Sequence, residues 1–404
     1  MEEHRRTGYG AETIVGAAIF VLVLFTYEQT LHPSVPGGDA GELITEAWQL
    51  GLPHPPGYPT FSMLGHLFSR KLNIAASAGN AVSKVAWRLN FMSAILTSLS
   101  AVFIFLMIQN MKKMLWRHRE DCWVAAEYSS FPWFLGSIVA SLMYSFCPLI
   151  WTYAVTAEVF ALNNFFASYI LFLATDFFTQ PTMQKGYYGA FVCGLGLTNQ
   201  HSLIFFIIPL AIGVLGTNCY INYNLQQSAT DSIPKRTNEG KNNKNTDIAN
   251  DTQITEVDTF VEREKQRNIS CLSKSFSWQN IYYVSVSIAS FLLGLVPYIY
   301  MPYATGKPNS WGDATTIAGF LKHLLRQEYG TFLLHPDMVG TESMQERTKL
   351  YLENILQVSA INFFLMLHLT NVDQPSGTNE TLHFERVLVP ILIGFRYTSF
   401  CAAW

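Results

Sequence analysis

Charge is what this chain has least of: 14% of its 404 residues are Asp, Glu, Lys or Arg, against 50% hydrophobic and 14% aromatic. That balance is too apolar for a water-soluble domain of this length and implies several membrane spans, with lipid as the surrounding partner. The formal net charge is only -3, and no basic face with interleaved aromatics occurs, which excludes nucleic acid as a partner. Cysteine is equally scarce. The six that occur, Cys122, Cys147, Cys193, Cys219, Cys271 and Cys401, show no CxxC spacing, so neither a zinc site nor a disulfide framework is indicated and they read as structural thiols. The first apolar run is followed by no small-x-small cleavage site, which favours an uncleaved signal anchor over a removed leader.

What is present is a series of apolar runs. The first, 14–31, follows Arg5 and Arg6, and arginines left in the cytosol send the chain after it to the lumenal or outer side. Further runs occupy 89–111, 131–153, 159–178, 187–215 and 281–303, with a weaker one at 355–369; most match about 30 Å of hydrocarbon as helices. Lys112, Lys113, Arg117 and Arg119 close the second run and place that end in the cytosol, so 32–88 becomes a long first lumenal loop. Thr198-Asn199-Gln200-His201 interrupts 187–215, suggesting two short helices or a broken one meeting at a polar turn, which survives at membrane depth only where protein or water satisfies the backbone. The expected fold is therefore an all-α, multispanning membrane bundle. It divides into an N-terminal membrane region 1–217, a polar and disordered cytosolic loop 218–280, further membrane helices in 281–370 with a lumenal segment 304–349, and an atypical tail 371–404.

The densest polar constellation lies in the first loop. In Gly37-Gly38-Asp39-Ala40-Gly41-Glu42, Asp39 and Glu42 have the spacing of a capping box for a helix running to Leu50 and ended by Gly51. The same spacing of three puts both carboxylates on one helical face beside a flexible Gly-Gly, as a catalytic site would require. Spacing alone leaves both readings open. His54-Pro55-Pro56-Gly57-Tyr58-Pro59 reads as a rigid turn between interfacial helices, from which His54 can reach an anionic head group. Glu158 sits at a span boundary, where a helix-dipole role competes with a functional one, and His201 has the same ambiguity. Lys322 and Arg326, one helical turn apart in an apolar-spaced segment around Phe320, Leu324 and Leu325, are placed to grip a phosphate or to snorkel at the interface.

Taken together and in order, Gly37 to Leu43, His54 to Pro59, Ala157-Glu158-Val159, Thr198 to His201 and Trp311-Gly312-Asp313 resemble the transmembrane protein 260 family, over roughly residues 10 to 360. That family is similar to the GT-C glycosyltransferases. The resemblance implies a GT-C-like helical bundle with interfacial helices in its first lumenal loop. It also implies a multi-pass endoplasmic reticulum enzyme with a cytosolic N-terminus, moving mannose from dolichyl phosphate mannose to Ser or Thr hydroxyls of immunoglobulin-like domains in plexin-type receptors. By placement, Asp39 matches the general base of such enzymes, with Glu42 second. His54, Tyr58, Glu158, His201, Trp311, Asp313, Lys322 and Arg326 become substrate-binding candidates; cationic side chains or helix N-termini stabilise the leaving phosphate without a metal or a resident cofactor. Members of the family generally continue through more spans into a lumenal domain, so a chain ending at Trp404 is expected to be a shortened form.

Two other functions remain in view. A secondary transporter also uses broken helices and intramembrane carboxylates, but no second half repeats the Gly-Gly-Asp or Asn-Gln-His features, and transporters have short early loops. A non-catalytic membrane scaffold is the third reading, favoured by the expected shortening.

Overall fold

The structure, a computed structural model, describes residues 2–71, 81–116, 130–231 and 278–327. The expected span 355–369, the tail 371–404 and most of the segment read as a disordered loop lie outside the described residues. Among the described residues every regular element is helical. They are α1 (Glu2–Gln29), α2 (Ala40–Gln49), α3 (Pro59–His66) running into a π turn (Leu67–Lys71), α4 (Ala81–Trp116), α5 (Ser130–Ser145), α6 (Pro148–Ala154), α7 (Val159–Thr179), α8 (Met183–Leu197), α9 (Ile204–Asp231), α10 (Trp278–Gly294), α11 (Tyr300–Ala304) and α12 (Ile317–Leu324). Four helical stretches, Gly10–Gln29, Ala81–Leu115, Val159–Thr179 and His201–Asn222, are long and apolar enough to cross a membrane, or up to six if each of two bent pairs is one span.

The long helices alternate in direction between two ends of the bundle. At one end Lys113 pairs with Glu12 at 2.9 Å, Lys185 pairs with Asp176 at 2.8 Å, and the Asn218 and Asn222 side chains donate to Asn280. At the other end the connections after α1, between α6 and α7, between α8 and α9, and after α10 come together. Between the ends lies an apolar core that joins α4 to α7, α8 and α9 through Ile104, Ile108, Leu162, Phe166, Val192 and Ile207. A second cluster seats α1 against α4 and α5. Where α8 crosses α10, Gly194 and Gly294 face each other so closely that a Cβ on either would strike the opposing backbone carbonyl, of Phe291 or Phe191. Small residues permit such close approach of membrane helices.

Several boundaries differ from the sequence expectation, each for a local reason. Helix α4 begins at Ala81, inside the segment 32–88 read as a loop, because Ala86 and Leu89 pack on Ala40, Ile44 and Ala47 of α2; Ser83, Lys84 and Arg88 lower the hydropathy there without breaking the helix. The run 131–153 is bent by 64°. Pro148 opens α6 and holds Cys147 extended, at φ -62 and ψ 130, as a residue before proline must be. A second bend, of 41°, separates α10 from the helical turns after Gly294. The polar break at 198–200 is present, but its two arms are unequal: α8 has 15 residues while α9 has 28 and runs well into the segment read as a loop.

Candidate active site

The converging connections form a polar cluster at one end of the bundle, with α2, α3 and the first loop at its centre. Asp39 occupies the cap position of α2, at φ -79 and ψ -4, yet its side chain makes no capping hydrogen bond. Glu42 does not complete a capping box either. Its Oε1 accepts the His54 backbone N–H at 2.6 Å and lies 3.1 Å from His54 Nδ1. The helix-ending residue is Leu50, which takes the left-handed conformation at φ 55, and not Gly51. Of the two readings that the spacing left open, the capping box is not formed, because the Asp39 side chain is turned outward and Glu42 is engaged by His54.

His54 is the hub of this cluster. A carboxylate can only accept, so Nδ1 carries a proton towards Glu42, while Nε2 lies 3.2 Å from the Tyr58 hydroxyl. Nε2 also stands 3.9 Å from Asp39 Oδ2. Tyr58 packs edge-on against the His54 ring at 5.2 Å, and the Trp311 ring does so at 6.3 Å. Burial pushes the Tyr58 hydroxyl above its ordinary range, which keeps it a donor. Asp39 is the open carboxylate here: its side chain is 65% exposed, against 24% for Glu42.

Glu158, the residue before α7, is buried beside Asp39. Burial first, and the Asp39 charge second, raise its carboxyl to about 7, against hydrogen bonds from the Asp39 and Ala40 amides that favour ionisation. Gly38, at φ +73, brings the chain so near that its Cβ position is 3.2 Å from Glu158 Oε1. Asn199 fixes the same corner by donating its Nδ2 to the Val159 carbonyl at 3.1 Å, and the Thr60 and Thr198 hydroxyls bond to each other across it.

The structure brings Asp39, Glu42, His54, Tyr58, Glu158 and Trp311 into one constellation, and leaves others apart. His201 Nε2 bonds to Tyr298 Oη at 2.8 Å; that hydroxyl donates to the Leu197 carbonyl at 2.8 Å, so the imidazole donates to the tyrosine. Asp313 is exposed and tied to its own turn by Thr315 N and Oγ1 at 2.9 and 2.5 Å, bonds that lower its carboxyl below the usual range. The placing of Lys322 and Arg326 on one helical face is corrected. Helix α12 stops at Leu324, Arg326 takes a left-handed conformation at φ 54, and the two residues part. Lys322 stays on the exposed surface, whereas Arg326 turns inward to within electrostatic reach of Tyr58 and His201.

Sequence reasoning missed the residues that lock the later segment onto the first loop. Buried His323 lies 3.0 Å from the Pro53 carbonyl, Trp311 N–H donates to the Leu52 carbonyl at 2.8 Å, and Tyr300 donates to the Gly51 carbonyl at 2.6 Å. Glu46, fully buried in α2, accepts from Gln49 at 3.0 Å and from Ser310 at 3.1 Å; burial raises its carboxyl. The one available signal was the place of His323 three residues after Phe320, on the inward stripe of an amphipathic helix. Among the described residues no group of three or more His, Cys, Asp or Glu is arranged to hold a metal ion.

Residues 39–222 match the family described as "Protein O-mannosyl-transferase TMEM260 N-terminal domain", a stretch that contains every member of the central constellation except Trp311. A curated relative from Dictyostelium discoideum, "Protein O-mannosyl-transferase tmem260", is 31% identical over 370 residues, covering 86% of this chain and 35% of the relative. "Protein O-mannosyl-transferase TMEM260" of Mus musculus is 30% identical over 332 residues, covering 80% of this chain and 35% of the relative. The chain thus spans about a third of the length of these relatives. No solved structure matches it. Over residues 39–222, the chain is similar to the N-terminal domain of the TMEM260 family.

Proposed function

We propose that this chain carries the catalytic centre of a protein O-mannosyltransferase that uses dolichyl phosphate mannose as donor. Its acceptors are Ser or Thr hydroxyls of immunoglobulin-like domains in plexin-type receptors, in the endoplasmic reticulum lumen. The observation that carries this reading is an exposed carboxylate, Asp39, 3.9 Å from a histidine that is itself oriented by Glu42, at one end of a bundle built of membrane-length helices. A lipid-linked head group is presented at that depth, and an acceptor domain reaches it from the aqueous side.

In the reaction the acceptor hydroxyl approaches the anomeric carbon while Asp39 takes its proton. The new C–O bond forms as the bond from that carbon to the phosphate oxygen breaks, through an oxocarbenium-like state. The phosphate departs with the bonding electron pair, and the proton remains on Asp39 until solvent removes it. Arg326 supplies positive charge towards the departing phosphate. Glu42 holds His54, and His54 with Tyr58 fixes the polar wall facing Asp39.

The test is incubation of the membrane-embedded chain with dolichyl phosphate mannose and receptor domains, read by mass spectrometry for added hexose. Asp39→Asn should lower transfer by roughly a hundredfold or more, the usual worth of a positioned base, without altering insertion. Near-normal transfer by Asp39→Asn would remove Asp39 as base. Solute uptake in place of sugar transfer would establish a transporter, and neither activity would leave a scaffold.

A further inference from the structure

Two carboxylates lie one turn apart on the same face of α2, and both reach beyond their own helix. Glu42 takes His54. Glu46 is fully buried and takes the segment that follows α11. Its Oε1 accepts the Gln49 side chain at 3.0 Å, and its Oε2 accepts the Ser310 hydroxyl at 3.1 Å. That hydroxyl in turn accepts the Leu52 N–H at 2.9 Å, so one oxygen bridges α2, the chain that enters the His54 turn and the later segment. We infer that Glu46 is a positioning residue, which clasps segment 304–311 to the end of α2 and so sets the Trp311 indole beside His54 as one wall of the transfer site.

Three observations support this assignment. The bonds around Glu46 converge on Trp311: the Gln49 amide also donates to the Pro308 carbonyl, Lys307 donates to the Gln49 carbonyl at 2.9 Å, and Trp311 N–H donates to the Leu52 carbonyl at 2.8 Å. The indole then stands edge-on to the His54 ring at 6.3 Å. Gly51 makes room for the clasp, since a Cβ there would overlap Glu46 Oε2 and crowd Ser310 Oγ at 2.6 Å. Its φ is not positive, so what this glycine supplies is space. Finally, a carboxylate shut away from water needs donors on its oxygens, and Ser310 arrives only with the later segment. Burial of Glu46 and docking of Trp311 are therefore coupled, although Glu46 lies inside residues 39–222 and Trp311 outside them.

The inference rests on the constellation being the transfer site, and its test separates the two claims. The whole chain is labelled with 5-fluorotryptophan in nanodiscs, and the Trp311 fluorine signal is assigned by its loss in Trp311→Phe. In Glu46→Ala, and to a lesser degree in Ser310→Ala, that signal should move or broaden, and hydrogen exchange across 304–312 should speed by roughly tenfold in the former. Glu46→Gln should keep both near wild type: its oxygen still accepts from Gln49, while its NH2 donates to Ser310, whose proton turns to the Ala304 carbonyl 3.4 Å away. In the transfer assay Glu46→Ala and Trp311→Ala should each lower kcat/KM about tenfold, and the double variant should fall no more than about twofold below the worse single, because both remove one placement. Losses that multiply in the double variant would overturn positioning through Trp311, as would a Glu46→Gln protein as slow as the alanine variant. An unchanged Trp311 signal and unchanged exchange in Glu46→Ala would overturn the clasp. Should Glu46→Ala fail to fold, Ser310→Ala enters the same cycle with Trp311→Ala. If the wild-type chain transfers no sugar, the transfer reading fails by itself, and the fluorine and exchange results alone decide whether Glu46 places Trp311.

Discussion

Glu42 Oε1 receives His54 twice, from the backbone N–H at 2.6 Å and facing ring Nδ1 at 3.1 Å. One oxygen thereby fixes both the main chain that enters the Pro-Pro turn and the tautomer of the ring that faces Asp39. Neither bond alone would orient the imidazole. Together they leave it little rotation, with Tyr58 closing the other nitrogen.

Replacing that oxygen's charge should therefore cost turnover before it costs folding. Glu42→Gln can turn its NH2 towards Nδ1–H and favour the other tautomer, and loss of a tautomer-setting carboxylate is severe in other histidine sites. The expected result is a drop in kcat of roughly tenfold or more, with an unchanged elution profile in detergent. Equal kcat values for Glu42→Gln and wild type would show that His54 orientation does not matter to the reaction.

Glu158 makes a prediction about pH and stability. Its folded carboxyl sits at about 7 against an ordinary 4.5, so between these values the folded state holds more protons than the unfolded one. Stability from this group is then full below about 4.5 and falls as pH rises through about 7. Asp39 and the His54 ring are the titratable groups facing it. Melting in nanodiscs should fall with rising pH across that window, and Glu158→Gln, which stays neutral, should flatten this component of the slope. A slope identical in the two proteins would contradict the assignment.

Arg326 and Lys322 should no longer behave alike. Arg326 faces Tyr58 and His201 while Lys322 is exposed on α12. Arg326→Lys should raise the apparent donor KM by roughly tenfold, the scale of a charge-assisted hydrogen bond, and Lys322→Gln should change it less than about twofold. Donor titration of both variants decides; equal effects would return the two residues to a shared surface role.

Membrane sidedness follows from where the connections gather. The polar constellation lies at one end of the bundle, and the junction of α9 and α10 at the other. If the constellation faces the lumen, the sequons at Asn250 and Asn268 stay unglycosylated in cells, since oligosaccharide is added on the lumenal side. Glycosidase-sensitive mobility shifts that vanish in Asn250→Gln or Asn268→Gln would invert the orientation.

Composition and apolar runs determined by themselves that this is an all-helical membrane chain, because a backbone in hydrocarbon must satisfy its own hydrogen bonds and a helix does so locally. Local chemistry was equally legible. Pro-Pro-Gly at 55–57 announced a turn, and Thr198 to Gln200 announced a break, since those signals act within a few residues. What only the tertiary structure decided is which acid does what. The spacing of Asp39 and Glu42 left cap and catalysis both open, and in the fold Asp39 makes no capping hydrogen bond while the Glu42 carboxylate is turned to His54. Arg326 parts from Lys322 because α12 ends two residues before it, where His323 holds the chain against Pro53. Such choices depend on burial and on partners distant in the chain, and sequence spacing carries neither.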